Sequence, residues 1–387
     1  MSKSFLILGA GMAGLPLAHY VLKHYANQHD LKVTLVSKSS DFYWNIASPR
    51  CAIPGQLTDD KTFYSIADAF SKYSSTRFEF VLGTVETWDP DRNTINLVDS
   101  YGSKKAIIYH TILVATGSAY ANNMPWKLVG SSDDTKTALS RLRQEIQSAK
   151  SIVIGGGGPT GVEFAGELAY EYAREGAQKS ITLVMSDSLP LPAIVMTATR
   201  QAAKKELEKL DVNIIANAKI TETPSDQVPG KRMLGITKTD GSKQSLEADL
   251  FVPTWGVKFN TGFAPPSMLE NDGRLKVTKQ LRAPGYENVF AVGDAANLDS
   301  YAAAVREAQV RHLAMAFGKY LAEERVPEYK QDDRTTMTVT VGQSRGVGQI
   351  GSWNAWSFFI WFFKGRHMCT NIVPDYVAGN TLILGSF

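Results

Sequence analysis

Apolar residues in this chain gather in short unbroken runs instead of alternating with polar ones. Ser4-Phe-Leu-Ile-Leu8 is one such run, and Gly9-Ala10-Gly11-Met12-Ala13-Gly14 follows it at once. An apolar run of that length bounded by glycine predicts a strand covered on both faces, as in a parallel sheet. Leu15 to Tyr25 has helical spacing, and Lys32-Val-Thr-Leu-Val36 predicts a second strand. The succession then returns. Ser151 to Ile154 predicts a strand, Gly155 to Gly161 a glycine turn, Val162 to Glu175 a helix, and Ser180 to Met185 the next strand. Strand, turn, helix and strand so closely joined predict a parallel, right-handed βαβ unit, here twice and in two separate sheets.

Between the units, residues 77–81 and 94–98 predict short strands joined by the turn Asp89-Pro-Asp-Arg-Asn93, and Ile112-Leu-Val-Ala115-Thr-Gly117 closes the stretch with another apolar strand. Residues 212–256 are strand-rich. Asn288-Val-Phe-Ala-Val-Gly293-Asp294 predicts a strand ending in Gly-Asp, with a helix from Ala302 to Glu323 after it. Residues 331–387 start strand-like and become aromatic, with a helix-like stretch from Trp353 to Phe363. A chain of 387 residues suits two or three domains.

The glycine spacing brings chemistry into this pattern. In Gly9-x-Gly11-x-x-Gly14 the first glycine permits a tight turn, the second lets backbone approach a pyrophosphate, and the third packs helix on strand, so that phosphate meets the helix N-terminal amides. Gly156-Gly-Gly158-Pro-Thr-Gly161 repeats the arrangement. Two such turns imply two nucleotides, most economically a flavin and the nicotinamide donor that reduces it. The expected fold class is α/β: two Rossmann-like βαβ dinucleotide-binding domains plus a small C-terminal α+β domain. The expected boundaries are 1–120 with 257–330 for FAD, 121–256 for NAD(P)H, and 331–387 for the C-terminal domain.

Composition removes other classes. With 41 Lys and Arg against 38 Asp and Glu and no basic stripe, the net charge of +3 gives no field suited to nucleic acid. The 2 cysteines, Cys51 and Cys369, form neither a CxxC pair nor a metal-ligand spacing, so a redox disulfide and a structural metal are not expected. The N-terminal apolar run is too short for a signal peptide, residue 2 is Ser where N-myristoylation needs Gly, and no apolar run reaches the roughly 18 residues of a spanning helix. The expected location is cytoplasmic, with any membrane contact peripheral; oligomeric state is left open.

Four stretches in order, the first glycine turn, Leu113-Val-Ala-Thr-Gly-Ser118, Ile154 to Glu163, and Val289-Phe-Ala-Val-Gly-Asp-Ala295, resemble the two-dinucleotide-binding-domain flavoproteins over essentially the whole chain. Asn45 to Arg50, Lys61-Thr-Phe63, Gly256 to Asn260 and Gly346 to Ile350 are similar to the apoptosis-inducing-factor-like branch that holds the ferroptosis-suppressing quinone reductases. The resemblance implies FAD, NADH or NADPH as donor, and electron transfer to a quinone. It implies that Asp294, with Gly293, meets the ribitol or pyrophosphate of FAD, that Arg50 approaches the flavin, that Val81 contacts the adenine, and that Glu163 lies near the nicotinamide. On dipole grounds the N-terminus of the helix near Tyr301 and Ala302 is expected to stabilise negative charge on the flavin. Lys364 resembles a functional lysine on the acceptor side. The alternatives in sequence terms are a helix cap for Asp294, a surface Arg50, a core Val81, and a dipole-favoured Glu163.

Departures qualify the likeness. Ser37 and Lys38 stand where an acid ordinarily holds the ribose, so Lys38 becomes a candidate FAD ligand. Ser186 holds the matching place in the second unit, which leaves NADH against NADPH open, and Trp255 replaces the usual Thr before Gly256. The aromatic stretch reads either as core of a small domain or as the lining of a quinone pocket or membrane surface, with Lys364 and Arg366 at its end. The competing functions are a ferredoxin or rubredoxin reductase, a tailoring oxidase with its own substrate, and a nucleotide-sensing effector without turnover.

Overall fold

The computed structural model describes residues 3–298, 308–331 and 334–382, apart from residues 175, 177–178, 222–224 and 229–230. Lys3–Leu8 runs parallel between Leu31–Ser37 and Thr111–Val114, Phe78–Asp89 pairs beyond the former, and Val289–Ala291 beyond the latter. Thr94–Asp99 and Lys104–Ile108 extend that edge antiparallel, making a seven-stranded sheet. Leu6, Leu8 and Val36 enter one core cluster while Phe5, Ile7 and Leu35 enter another on the opposite face. Two buried faces explain why the run is unbroken.

The second unit forms a four-stranded parallel sheet in the order Asn213–Ile215, Ser180–Val184, Ser151–Gly155, Leu250–Pro253. Val153 and Val184 pack against Leu234 and Ile236 of an antiparallel sheet built from residues 218–248. The chain leaves the first sheet through Ser118–Tyr120 and returns through Val257–Phe259, and these two segments pair antiparallel.

After each glycine turn comes a helix, Gly14–His24 in the first unit and Pro159–Arg174 in the second. The C-terminal segment touches both. Its meander, Thr336–Val341, Arg345–Ile350 and Trp353–Ala355, lies on the second helix, where a Cβ at Gly166 would press on the backbone of Val341 and Gly342. Val373–Val377 packs on the first helix, and the His19 ring nitrogen Nε2 donates to the Val377 carbonyl at 2.9 Å.

Two local expectations change. The strand expected over 77–81 begins at Phe78 and runs on for twelve residues, Phe78–Asp89, because Thr94–Asp99 folds back along its distal half. Trp353 to Phe363 is not one helical stretch. Trp353–Ala355 is a strand, since Gly351 at φ +59° permits a tight return that sets Trp353 beside Ile350, and only Ser357–Ile360 is α-helical before the backbone widens into a π-turn at Trp361–Gly365. No helix among the described residues is long and apolar enough to cross a membrane.

Candidate functional site

A cavity of about 550 Å³ runs along the first glycine turn, within the range of cofactor pockets. Gly9, Ala10, Gly11, Met12 and Ala13 form one wall, Ala115, Thr116 and Gly117 another, and Gly293 and Asp294 a third. These three stretches meet because their strands are neighbours in the sheet and all point their C-terminal ends to one edge. The glycines divide their work. Gly9, at φ +101°, has no room for a Cβ against the Ala115 carbonyl, and Gly14 has none against the Gly9 carbonyl, whereas Gly11 faces open space. A side chain at Gly11 would therefore project into the cavity itself.

Electrostatics on the third wall centre on Asp294. Ser118 Oγ donates to its Oδ2 at 2.6 Å and the Lys127 ammonium pairs with the same oxygen. Burial pushes this carboxyl up, but the Lys127 charge and the hydrogen bonds from Lys127 and Ser118 outweigh it and hold Asp294 below the usual carboxylate range. Its carboxylate is thus turned to side chains of the cavity wall and caps no backbone amide of the short turn Gly293–Ala295. Gly293 N–H donates to the buried Gln309 side chain at 2.9 Å, which pins that turn. Lys38 also borders the cavity; burial lowers its ammonium's pKa, and Asp134 only partly offsets this.

Two observations test this cradle for a phosphate-bearing dinucleotide. Thr116 Oγ1 is buried on the cavity wall without a hydrogen-bond partner, a costly arrangement unless a ligand completes it. Lys38 brings a partly desolvated cation to the same space, where an anion would restore its solvation. The residues present fit FAD.

The second turn repeats the glycine division. Gly156, at φ +109°, presses on Thr254, Gly161 has no room against the Gly156 carbonyl, and Gly158 again faces open space. Leu8 of the first unit, however, corresponds to Gly155 here, and Trp255 lays its indole where a Gly155 side chain would stand. At the end of the next strand Met185 is buried against Gly157, Ser186 is exposed, and the Asp187 carboxylate pairs with Arg200 at 2.7 Å.

Other expected site residues lie away from the cavity wall. Val81 sits in the strand that supplies the wall, yet Gly83, Thr84, Val85 and Glu86 line it while Val81 packs into the core behind. The Arg50 guanidinium forms a forked pair with Glu167, at 2.9 and 2.7 Å, both side chains buried. Lys364 donates to Glu163 Oε1 at 2.6 Å and to the Thr338 carbonyl at 2.9 Å, while the Thr340 amide donates to the same Glu163 oxygen at 3.0 Å. Glu163 and Glu167, one helical turn apart, therefore hold Pro159–Arg174 to the C-terminal meander and to the segment Ser48–Cys51. Ala302 lies outside the described residues.

Cys51 is fully buried, with its thiol pushed up to about 12 by burial, the small buried residue that a lone cysteine usually is. Among the described residues no cluster of His, Cys, Asp and Glu is arranged to hold a metal. The aromatic stretch is not core: Trp356 is 75% exposed and Phe358 71%, with Phe362, Phe363, Trp353 and Arg366 also exposed.

Sequence reasoning missed Lys127, Asn260, Thr116 and Gly83 to Glu86. Thr116 and Ser118 lie in the stretch Leu113–Ser118 and Asn260 in Gly256–Asn260, and Gly83 inside a strand is a signal of close approach. Nothing local distinguishes Lys127 from a surface lysine.

The comparisons agree with this geometry. Oxidoreductase ptaL of Pestalotiopsis fici is 35% identical over 98% of this chain and 100% of its own length. Ferroptosis suppressor protein 1 of Xenopus tropicalis is 27% identical over 93% of this chain and 92% of its own. The sulfide:quinone oxidoreductase structure of Aquifex aeolicus superposes with a TM-score of 0.76 over 98% of this chain and 92% of that one, at 16% identity, a likeness of fold. With residues 3–308 matching its model, the chain belongs to the pyridine nucleotide-disulphide oxidoreductase family.

Proposed function

We propose that this protein is an FAD-dependent NAD(P)H oxidoreductase whose electron acceptor is a quinone. The observation that carries the reading is the cavity along Gly9–Gly14 with the unpartnered Thr116 hydroxyl on its wall. When bound, FAD supplies the centre that takes hydride from a nicotinamide and passes electrons onward. The chain's own residues bind and orient. Gly11 and the amides at the start of Gly14–His24 offer a cradle for pyrophosphate, Thr116 offers a hydroxyl, and Lys38 offers the cation that replaces the usual ribose acid. Asp294, kept ionised by Lys127 and Ser118, accepts hydrogen bonds on the cavity wall. Gly158 and the N-terminus of Pro159–Arg174 offer the matching cradle for NAD(P)H. We assign residues 1–120 with 257–330 to the flavin, 121–256 to the nicotinamide nucleotide and 331–387 to the acceptor side.

Lys364 and Glu163 enter this reading as positioning residues. Their ion pair neutralises both charges and fixes the base of the aromatic segment on the second helix. Beyond it, exposed Trp356, Phe358 and Phe362 beside Arg366 present an apolar surface with a cationic rim, suited to peripheral contact with a membrane that stores quinone. The ferroptosis-suppressor relative and the sulfide:quinone oxidoreductase fold support a quinone over a protein acceptor.

Anaerobic stopped-flow on the FAD-loaded protein tests the reading. NADH or NADPH should bleach the flavin absorbance, and a short-chain ubiquinone analogue should restore it faster than ferredoxin does. Bleaching by neither nucleotide would overturn the reductase assignment. Bleaching without quinone-driven recovery would overturn the acceptor alone.

A further inference from the structure

The two parallel sheets give the two glycine turns a common frame, and in that frame one pair of positions is exchanged. Leu8 aligns with Val114 across the first sheet, and Gly155 with Pro253 across the second. Two residues beyond those partners stand Thr116 in the first unit and Trp255 in the second, each followed by a glycine of positive φ, Gly117 at +66° and Gly256 at +85°. Gly155 is a strand residue without a positive φ, so its backbone has no need of glycine. What it lacks is a side chain, and the benzo half of the Trp255 indole fills that space: a Cβ at Gly155 would overlap Cζ3 and Cη2. Phe251, on the strand Leu250–Pro253 that leads to Trp255, supports the ring, with centroids 5.7 Å apart. The indole is nevertheless 42% exposed, an unusual position for a ring held this closely.

This exposed ring borders the second turn, where Gly156 and Gly157 follow directly on its seat. It also precedes Val257–Phe259, the segment that pairs with Ser118–Tyr120 and leads to Ser118 and Asn260 on the flavin cavity wall. A dinucleotide laid with its pyrophosphate on the second turn and its reactive ring toward that cavity passes Trp255. We propose that Trp255, seated on Gly155, is the stacking surface for the nicotinamide ring of the bound nucleotide. The indole face is the strongest side-chain partner for a flat ring, and more so for the cationic ring of the oxidised nucleotide. The proposal rests on the assignment of the second turn to NAD(P)H.

Calorimetry on the FAD-loaded protein separates the nicotinamide from the rest of the nucleotide without turnover. The ligands are NAD+ and NADP+, each compared with the fragment that lacks nicotinamide, ADP-ribose or 2′-phospho-ADP-ribose. Trp255→Leu should weaken the whole oxidised nucleotide by about tenfold and leave its fragment unchanged. Gly155→Ala, which keeps the indole but fills its seat, should lose affinity with the same selectivity, and Trp255→Leu with Gly155→Ala should be no weaker than Trp255→Leu alone. Trp255→Phe should fall between, and it serves if the Leu variant does not retain FAD. Equal loss of nucleotide and fragment, an unchanged nucleotide affinity, or tighter binding would each overturn the stacking role. Binding of neither nucleotide to the unaltered protein would instead overturn the assignment of the second turn itself.

Discussion

The two dinucleotide-binding units of this chain share a frame and differ in what covers it. Each has a first glycine of positive φ, a second facing open space and a third pressed on the first. Over the first turn the wall residue is Thr116, small and unpaired, beside a cavity of about 550 Å³. Over the second it is Trp255, whose ring sits on Gly155. The helices differ as well. The first buries Leu15, Leu17, Ala18 and Val21 with the neutral His19, whereas the second buries the carboxylates Glu163 and Glu167 against Lys364 and Arg50. The frame is thus common property of both units, and the residues that cover it specialise each one.

The largest expected effect comes from exchanging the open glycines. Gly11→Val should fold, since nothing stands near its Cβ, but should lose at least roughly a hundredfold in FAD affinity, about 2.8 kcal/mol, and purify without flavin absorbance. Gly158→Val should stay yellow and lose bleaching by NAD(P)H to a similar degree. If both variants lost FAD alike, the two turns would not be independent sites.

Next in size is the helix contrast. Lys364→Met strands the buried Glu163 charge and should lower unfolding free energy by about 3 kcal/mol in urea titration. Adding Glu163→Gln should recover most of that loss. No recovery would mean that Lys364 acts apart from the ion pair.

Smaller again is the acid response of the first helix. His19 is pushed down to about 3 by burial first and by Lys72 next, with Lys23 adding to the shift and the Val377 carbonyl opposing it. Its folded pKa lies below the unfolded value, so its stabilising contribution is complete above about pH 6.5 and is lost as pH falls toward 3, when only the unfolded chain takes the proton. Between pH 6 and 4 the unaltered protein should lose about 1 kcal/mol per pH unit more than His19→Gln does. Parallel curves would remove His19 as the cause.

Smallest is the thiol effect. The double variant Cys51→Ser, Cys369→Ser should keep most of its NAD(P)H-driven turnover, because Cys51 is buried and protonated and far in sequence from Cys369. Loss of turnover in folded protein would contradict a chemistry without cysteines.

Legibility followed the range of the interaction. Gly9, Gly11 and Gly14 were readable because a tight turn imposes its demand on neighbouring residues. The Asp294 carboxylate was readable from its Gly-Asp setting, but its partner Lys127 was not, since 167 residues separate them. Arg50 and Lys364 stood out as chemistry-bearing residues, yet no spacing announces that Glu167 and Glu163 would neutralise them. The aromatic stretch was conspicuous in composition, while its division into strand, short helix and π-turn depended on pairing with Gly348–Ile350.

The sequence by itself determined the two βαβ units, their glycine turns, the absence of a cysteine pair, and an α/β fold for two nucleotides. These rest on local demands: apolar runs that need two covered faces, and glycines where a Cβ cannot stand. Tertiary structure alone decided that Trp255 lies on Gly155, that Lys127 sustains the charge of Asp294, and that Glu163 and Glu167 bind the second helix to its neighbours. Each of those depends on which residues, distant along the chain, the fold brings into contact, and for the ion pairs the degree of burial, not spacing along the chain, sets the strength.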